Sequence, residues 1–258
     1  MLSGHTAQRH CLAPGIHARR RHCLRTRPAP EARSLPARQA ARRRQDGDLL
    51  LRRLVGDRQQ GRLPVRRPGA CGQWLRRRHP DYRLYPAVRF PVFVEDGARA
   101  VRWTADHVGV EKVFVMGHSA GAQIASMLAA NTSYLAAAGV NRLKLRGLIG
   151  LAGPYDFLPL KSARLIDIFG GANNLNIEAI TFARMPLPPA LLIHGTADTT
   201  VYPRNSENLA AAWRKAGAPV ELKLYPDVGH VDVVATLSGL PSGRAPTRTD
   251  VLTWLDPR

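Results

Sequence analysis

Lys112-Val113-Phe114-Val115-Met116-Gly117-His118-Ser119-Ala120-Gly121 is the stretch that decides the fold of this chain. Five residues of buried-strand composition, Lys112 to Met116, run into a serine with glycine two positions before and two positions after it. This is the pattern of a nucleophile elbow, in which a strand turns abruptly into a helix and forces the intervening serine into a strained backbone conformation. Small neighbours let strand and helix approach closely. The spacing predicts that the hydroxyl of Ser119 is exposed at the sheet edge. It also predicts a helix over Ala120 to Asn131, rich in small residues, whose first N–H groups face the same point and favour developing negative charge there.

The chain downstream repeats the alternation that a parallel sheet requires. Phe90 to His107 reads as a helix, with Phe93, Gly97, Val101 and Ala105 along one stripe. Leu145 to Leu151 and Pro189 to Ile193 read as short apolar strands, and Val220 to Tyr225 as a further strand. Asn205 to Ala216 reads as a helix closed by Gly217, and Arg248 to Leu255 as a last helix. The fold class expected from these elements is α/β, a mostly parallel sheet flanked by helices.

A serine needs a base and an orienting acid to attack at neutral pH. Asp198, in His194-Gly195-Thr196-Ala197-Asp198, follows the strand ending at Ile193, and His230, in Asp227-Val228-Gly229-His230, follows the strand ending at Tyr225. Both therefore fall at the carboxyl edge of the sheet, where ligands and chemistry gather in open α/β folds. The order Ser119, Asp198, His230 is the one this architecture uses. Asp227 and Asp232 are nearer His230 in sequence and are read as shaping its loop. Asp156, in Pro154-Tyr155-Asp156-Phe157, is given a turn or substrate-side role, and His118 and His194 are read as structural histidines without an acid in a suitable place.

The sequence carries a formal net charge of +19, which taken alone points to a nucleic acid or an acidic membrane. Its distribution argues otherwise. Residues 1 to 80 hold 20 Arg, no Lys and four acids, whereas residues 81 to 258 hold 18 basic residues against 15 acids. All three cysteines, Cys11, Cys23 and Cys71, lie in the first part, so the remainder offers no disulfide or thiolate metal site. No apolar run is long enough for a membrane span, and the N-terminus lacks the apolar stretch of a signal peptide, so a cytoplasmic location is expected. No cofactor is called for. No nucleic-acid partner is expected.

Residues 1 to 79 show no sustained period of 3.6 or 2, and form an Arg-rich segment separate from a domain over residues 80 to 258. Three accounts compete for it: a basic nucleic-acid-binding arm, an organelle-targeting segment, or translation in the wrong reading frame. Twenty arginines without one lysine favour the third. With third codon positions free, Arg76-Arg77-Arg78-His79 read one base later gives Val-Val-Val-Ile. The same step turns Leu50 to Val55 into Phe-Tyr-Gly-Gly-Ser-Trp and His22 to Arg27 into Ile-Ala-Tyr-Gly-Pro-Asp. An out-of-frame translation over about residues 20 to 79 is the expectation, with the N-terminal strands of the domain missing or disordered.

Pro80-Asp81-Tyr82-Arg83-Leu84-Tyr85-Pro86, the elbow, Gly150 to Asp156, His194 to Asp198 and Gly229-His230 together resemble the α/β-hydrolase superfamily. They are most similar to its carboxylesterase and feruloyl-esterase-like group, related to hormone-sensitive lipases. The resemblance covers about residues 80 to 258. It implies Ser119 as nucleophile, Asp198 as acid, His230 as base and the backbone N–H of Ala120 as one oxyanion donor. Members of that group carry a His/Tyr-Gly-Gly loop upstream of the elbow, on a strand beside the nucleophile strand, and this sequence has that tripeptide only in the shifted frame. The resemblance therefore implies a hydrolase whose partner is a small-molecule acyl ester and which is incomplete as written, with Lys112 to Met116 left at an unpaired sheet edge. An amide or peptide hydrolase of the same fold, and a non-catalytic hydrolase-like domain with a basic arm, are the alternatives.

Overall fold

Parallel pairing builds the sheet outward from the nucleophile strand. In the computed structural model, which describes residues 80–238 and 245–255 together with two short strands nearer the N-terminus, β3 (Phe114–His118) pairs with β4 (Gly147–Leu151). β4 pairs with β5 (Ala190–Gly195), and β5 with β6 (Val220–Tyr225), all parallel, in the order β3-β4-β5-β6. The two short strands, β1 (Arg62–Leu63) and β2 (Leu75–Arg76), form an antiparallel pair of their own. The expected Arg-rich segment over residues 1 to 79 otherwise lies outside the described residues. All described residues belong to one compact unit, Gly47–Arg258.

Every residue of β4 and β5 is buried, as strands covered on both faces require. Alternate side chains divide between two cores. Val115, Leu148 and Leu192 face one side, where they meet Phe93, Val94 and Val101 of α1 (Val92–Val108), the alanine-rich α2 (Ala120–Ala130), Leu135 of α3 (Thr132–Ala137) and Trp213 of α5 (Arg204–Lys215). Ile149, Leu151, Leu191 and Ile193 face the other, against Val233 of α6 (Asp232–Ala235) and Trp254 of α7 (Thr247–Leu255). The remaining helix, α4 (Ala163–Phe169), closes the first core with Phe169, whose ring lies 5.8 Å edge-on from Phe93.

The expected sheet-and-helix alternation is present, with shifted boundaries. The nucleophile strand starts and ends two residues later than its composition indicates, because Val110–Lys112 is spent in a 3-10 turn. The ladder then continues through Gly117↔Gly150 and His118↔Leu151. Among the described residues the ladder of β3 runs to β4 alone.

Candidate active site

The turn between β3 and α2 is as sharp as the motif requires. Ser119 has φ 55° and ψ −123°, a conformation that non-glycine residues rarely adopt and that costs about 1–3 kcal/mol. Its N–H extends the β3–β4 ladder by donating to the Leu151 carbonyl at 2.9 Å, so the strained residue is held from the sheet side. Ala120 opens α2; the N–H groups of Ala122 and Gln123 donate to the Ser119 carbonyl at 2.9 and 3.1 Å, which leaves those of Ala120 and Gly121 without a partner within the helix. Gly117 is there for space, since a Cβ on it would sit 2.1 Å from the Gly121 carbonyl. Gly121 differs from the sequence expectation, because a Cβ there would meet nothing within 4 Å.

Asp198 and His230 come together on neighbouring loops. β5 ends at Gly195, β6 at Tyr225, and the loops after them are laced by Thr196 N–H to the Tyr225 carbonyl at 2.9 Å and Ala197 N–H to the Val228 carbonyl at 3.1 Å. Gly195 permits the contact, as a Cβ on it would lie 2.0 Å from the Val228 carbonyl oxygen. His230 Nδ1–H then donates to Asp198 Oδ2 at 2.6 Å. Asp227 and Asp232 do not receive this bond and shape the loop instead. Asp227 has φ 55° and gives its N–H to Thr196 Oγ1, while Asp232 accepts from Gly229 N–H at 3.3 Å.

Asp198 is 2% exposed and saturated with donors. Its Oδ1 accepts from the N–H groups of Thr200 and Val201, both at 2.9 Å. His194 Nε2 lies 3.2 Å from Oδ2 and 2.8 Å from the Val201 carbonyl, and two acceptors at one nitrogen mean that this nitrogen carries the proton. The other nitrogen, Nδ1, lies 2.7 Å from Ser206 Oγ at the start of α5. Burial pushes the Asp198 carboxyl up, but hydrogen bonds from His194, His230 and Val201 N–H outweigh it and hold the group well below the usual carboxylate range. The acid is therefore ionised and fixed.

One reading of the histidines needs correction. His194 does have an acid in place, because the Asp198 four residues on turns back onto it. His118 faces His230 across the site, its Nε2–H donating to the His230 carbonyl at 2.8 Å with ring centroids 4.7 Å apart. Burial pushes the His118 pKa down to about 4, so its imidazole is neutral at pH 7. Among the described residues no hydrogen bond joins Ser119 Oγ to His230.

The segment after β4 rims the same edge. Asn205 Oδ1 accepts from the N–H groups of Tyr155 and Asp156, both at 2.9 Å, and the Glu178 carboxylate accepts from Phe157 at 2.5 Å and Leu158 at 2.7 Å. Asp156 accepts from Asn208 Nδ2 at 2.5 Å. Sequence reading passed over Asn205 and Glu178, since nothing in their local pattern announces partners 20 to 50 residues away. Among the described residues no group of three or more His, Cys, Asp or Glu could hold a metal, and no helix is long and apolar enough to cross a membrane.

A strained serine at a strand-to-helix turn, with an Asp–His pair on later loops of the same edge of a parallel sheet, defines an α/β-hydrolase. The family model BD-FAE matches residues 78–213, more than half of the chain, and the chain belongs to that family. Among its relatives is a probable isoprenylcysteine alpha-carbonyl methylesterase of Oryza sativa subsp. japonica, 27% identical over 179 residues, or 59% of this chain and 43% of that protein. The kynurenine formamidase of Meyerozyma guilliermondii is 37% identical over 79 residues, 30% of each chain. Among solved structures, apo esterase 2 of Thermogutta terrifontis superposes with a TM-score of 0.56 at 25% identity, covering 68% of each chain. The same esterase is known in a form phosphorylated by paraoxon. This chain spans less than half the length of the plant methylesterases it matches.

Proposed function

We propose that the chain is a serine ester hydrolase acting through an acyl-enzyme. Ser119 Oγ attacks the ester carbonyl while His230 Nε2 takes its proton, and Asp198 holds the imidazole with Nδ1–H directed at the carboxylate and stabilises the imidazolium. The Ala120 N–H donates to the oxyanion. His230 returns the proton to the departing alkoxide; water then enters, gives a proton to His230 as its oxygen attacks the acyl carbon, and His230 passes that proton to Ser119 Oγ as the acid leaves. The observation that carries this reading is the 2.6 Å bond from His230 to an ionised Asp198 on the loop beside the elbow. The esterase and methylesterase relatives support esters as the substrate class. The formamidase match favours an amide substrate as the second reading.

The Arg-rich segment is proposed to be an out-of-frame translation over about residues 20 to 79, and the chain as written to be of low activity. Losing one oxyanion donor lowers kcat by roughly 10²- to 10³-fold. Turnover of p-nitrophenyl acetate and p-nitroacetanilide should be measured for this chain, for its frame-corrected form and for Ser119→Ala in both. The corrected form should hydrolyse the ester at least about a hundredfold faster than the chain as written, and Ser119→Ala should abolish it. Equal rates for the two forms refute the frame account, and persistence of turnover in Ser119→Ala refutes the nucleophile. Faster cleavage of the anilide than the ester moves the assignment to the amide reading.

A further inference from the structure

We infer that His118 is a positioning residue for His230, setting the height of the base over Ser119 through its hydrogen bond to the His230 carbonyl. The inference rests on the roles proposed for Ser119 and His230. Its starting point is topological. The nucleophile is carried on β3 and the base on the loop after β6, with β4 and β5 between them. The Asp198 bond steadies the ring of His230 from the β5 side, but it reaches no part of β3. His118, the residue before Ser119, spans that gap with Nε2–H to the His230 carbonyl at 2.8 Å.

The chemistry of the bond suits the task. A carbonyl is an acceptor only, so His118 Nε2 must carry the proton, and the neutral ring has just one arrangement that satisfies it. The bond fixes the backbone at His230 and leaves the base's ring nitrogens to Asp198 and the serine. Burial keeps His118 uncharged at pH 7, so a ring 4.7 Å away adds no positive charge that would oppose protonation of His230 when Ser119 attacks. A lysine or arginine could make the same bond but would bring that charge. Position 118 also ends the β3–β4 ladder opposite Leu151, which anchors the donor itself.

The test compares the full chain with His118→Ala and His118→Gln, because the Gln side-chain amide can place an N–H near the position of Nε2. Diethyl p-nitrophenyl phosphate reports the reaction directly. Ser119 Oγ forms a bond to phosphorus, p-nitrophenolate leaves with the bonding electron pair, and the serine proton goes to His230. Release of p-nitrophenolate and the mass of the Ser119 peptide follow it. The second-order rate constant should fall about tenfold in His118→Ala, the worth of roughly one hydrogen bond, and recover to within about threefold in His118→Gln. With p-nitrophenyl acetate the loss should fall on kcat and leave KM unchanged. Labelling of His118→Ala at the parent's rate overturns the inference while leaving the serine hydrolase reading intact. Failure of the parent to label Ser119 counts instead against that reading. Hydrogen exchange then decides the His118 assignment alone. Amides 228–231 must exchange faster in His118→Ala and at the parent's rate in His118→Gln, and equal exchange in all three overturns it.

Discussion

The two glycines of the elbow motif should respond to alanine with opposite signs. A Cβ at Gly117 would sit 2.1 Å from the Gly121 carbonyl carbon and oxygen and 2.5 Å from Ala122 N, where ordinary contact begins at 3.4 Å, so strand and helix must part by about 1.3 Å. The obstacle is backbone, and α2 is buried along nearly its whole length, so no flexible side chain absorbs the displacement. Overpacking costs about 1–3 kcal/mol where side chains can shift, which puts Gly117→Ala at about 3 kcal/mol or more. Gly121 lies in the first turn of α2 with open space around its Cα, and alanine there should recover about 1 kcal/mol of helix propensity. The buried Trp213 reports unfolding by its fluorescence. With a urea dependence of about 2 kcal/mol per molar, the midpoint should fall by about 1.5 M in Gly117→Ala and rise by about 0.5 M in Gly121→Ala. A Gly121→Ala midpoint below the parent's, or a Gly117→Ala midpoint equal to it, would refute the packing argument.

Further outcomes follow from the site's supports. His194→Ala strips a partner from Asp198 Oδ2, the Val201 carbonyl and Ser206 Oγ at a fully buried position, and should cost about 3 kcal/mol or more in a urea titration. Glu178→Ala orphans the N–H groups of Phe157 and Leu158 and should cost about 2–3 kcal/mol; Glu178→Gln keeps an acceptor and should cost less than half as much. His118 binds a proton near pH 4 in the fold but near 6.5 when unfolded, so the unfolded chain holds more protons between those values and stability should fall as the pH drops through that window. His118→Gln should flatten that slope in urea midpoints taken across it. The depressed carboxyl of Asp198 contributes stability that is present above the ordinary aspartate range and lost only below it, a second decline that His118→Gln should leave in place.

Elements whose residues speak for themselves were legible. Val220 to Tyr225 is strand from end to end, because its alternation needs no help from elsewhere. Asp198 and His230 were legible as loop residues at strand ends, and the bond between them is what that placement makes possible. The stretch from Pro154 to Pro189 was opaque. It contains α4 and two 3-10 turns, Leu175–Ile177 and Ala179–Phe182, too short to leave a periodic trace. Side chains distant in sequence, Asn205 and Glu178, hold its start. His194 escaped for a different reason. Four residues separate it from Asp198, a spacing that brings side chains together on a helix, whereas here a turn after β5 does so.

Among the described residues β3 is paired on one side alone, and this has a dynamic consequence. Five paired residues against β4, extended by the Ser119 N–H, are the ruler that fixes where the nucleophile stands. Border strands open more readily than central ones, and any fluctuation that peels β3 away carries Ser119 and His118 with it. Under the proposed mechanism the reactive geometry is then a population set by the opening equilibrium of one strand, and whatever steadies β3 raises the rate without touching a single reacting atom.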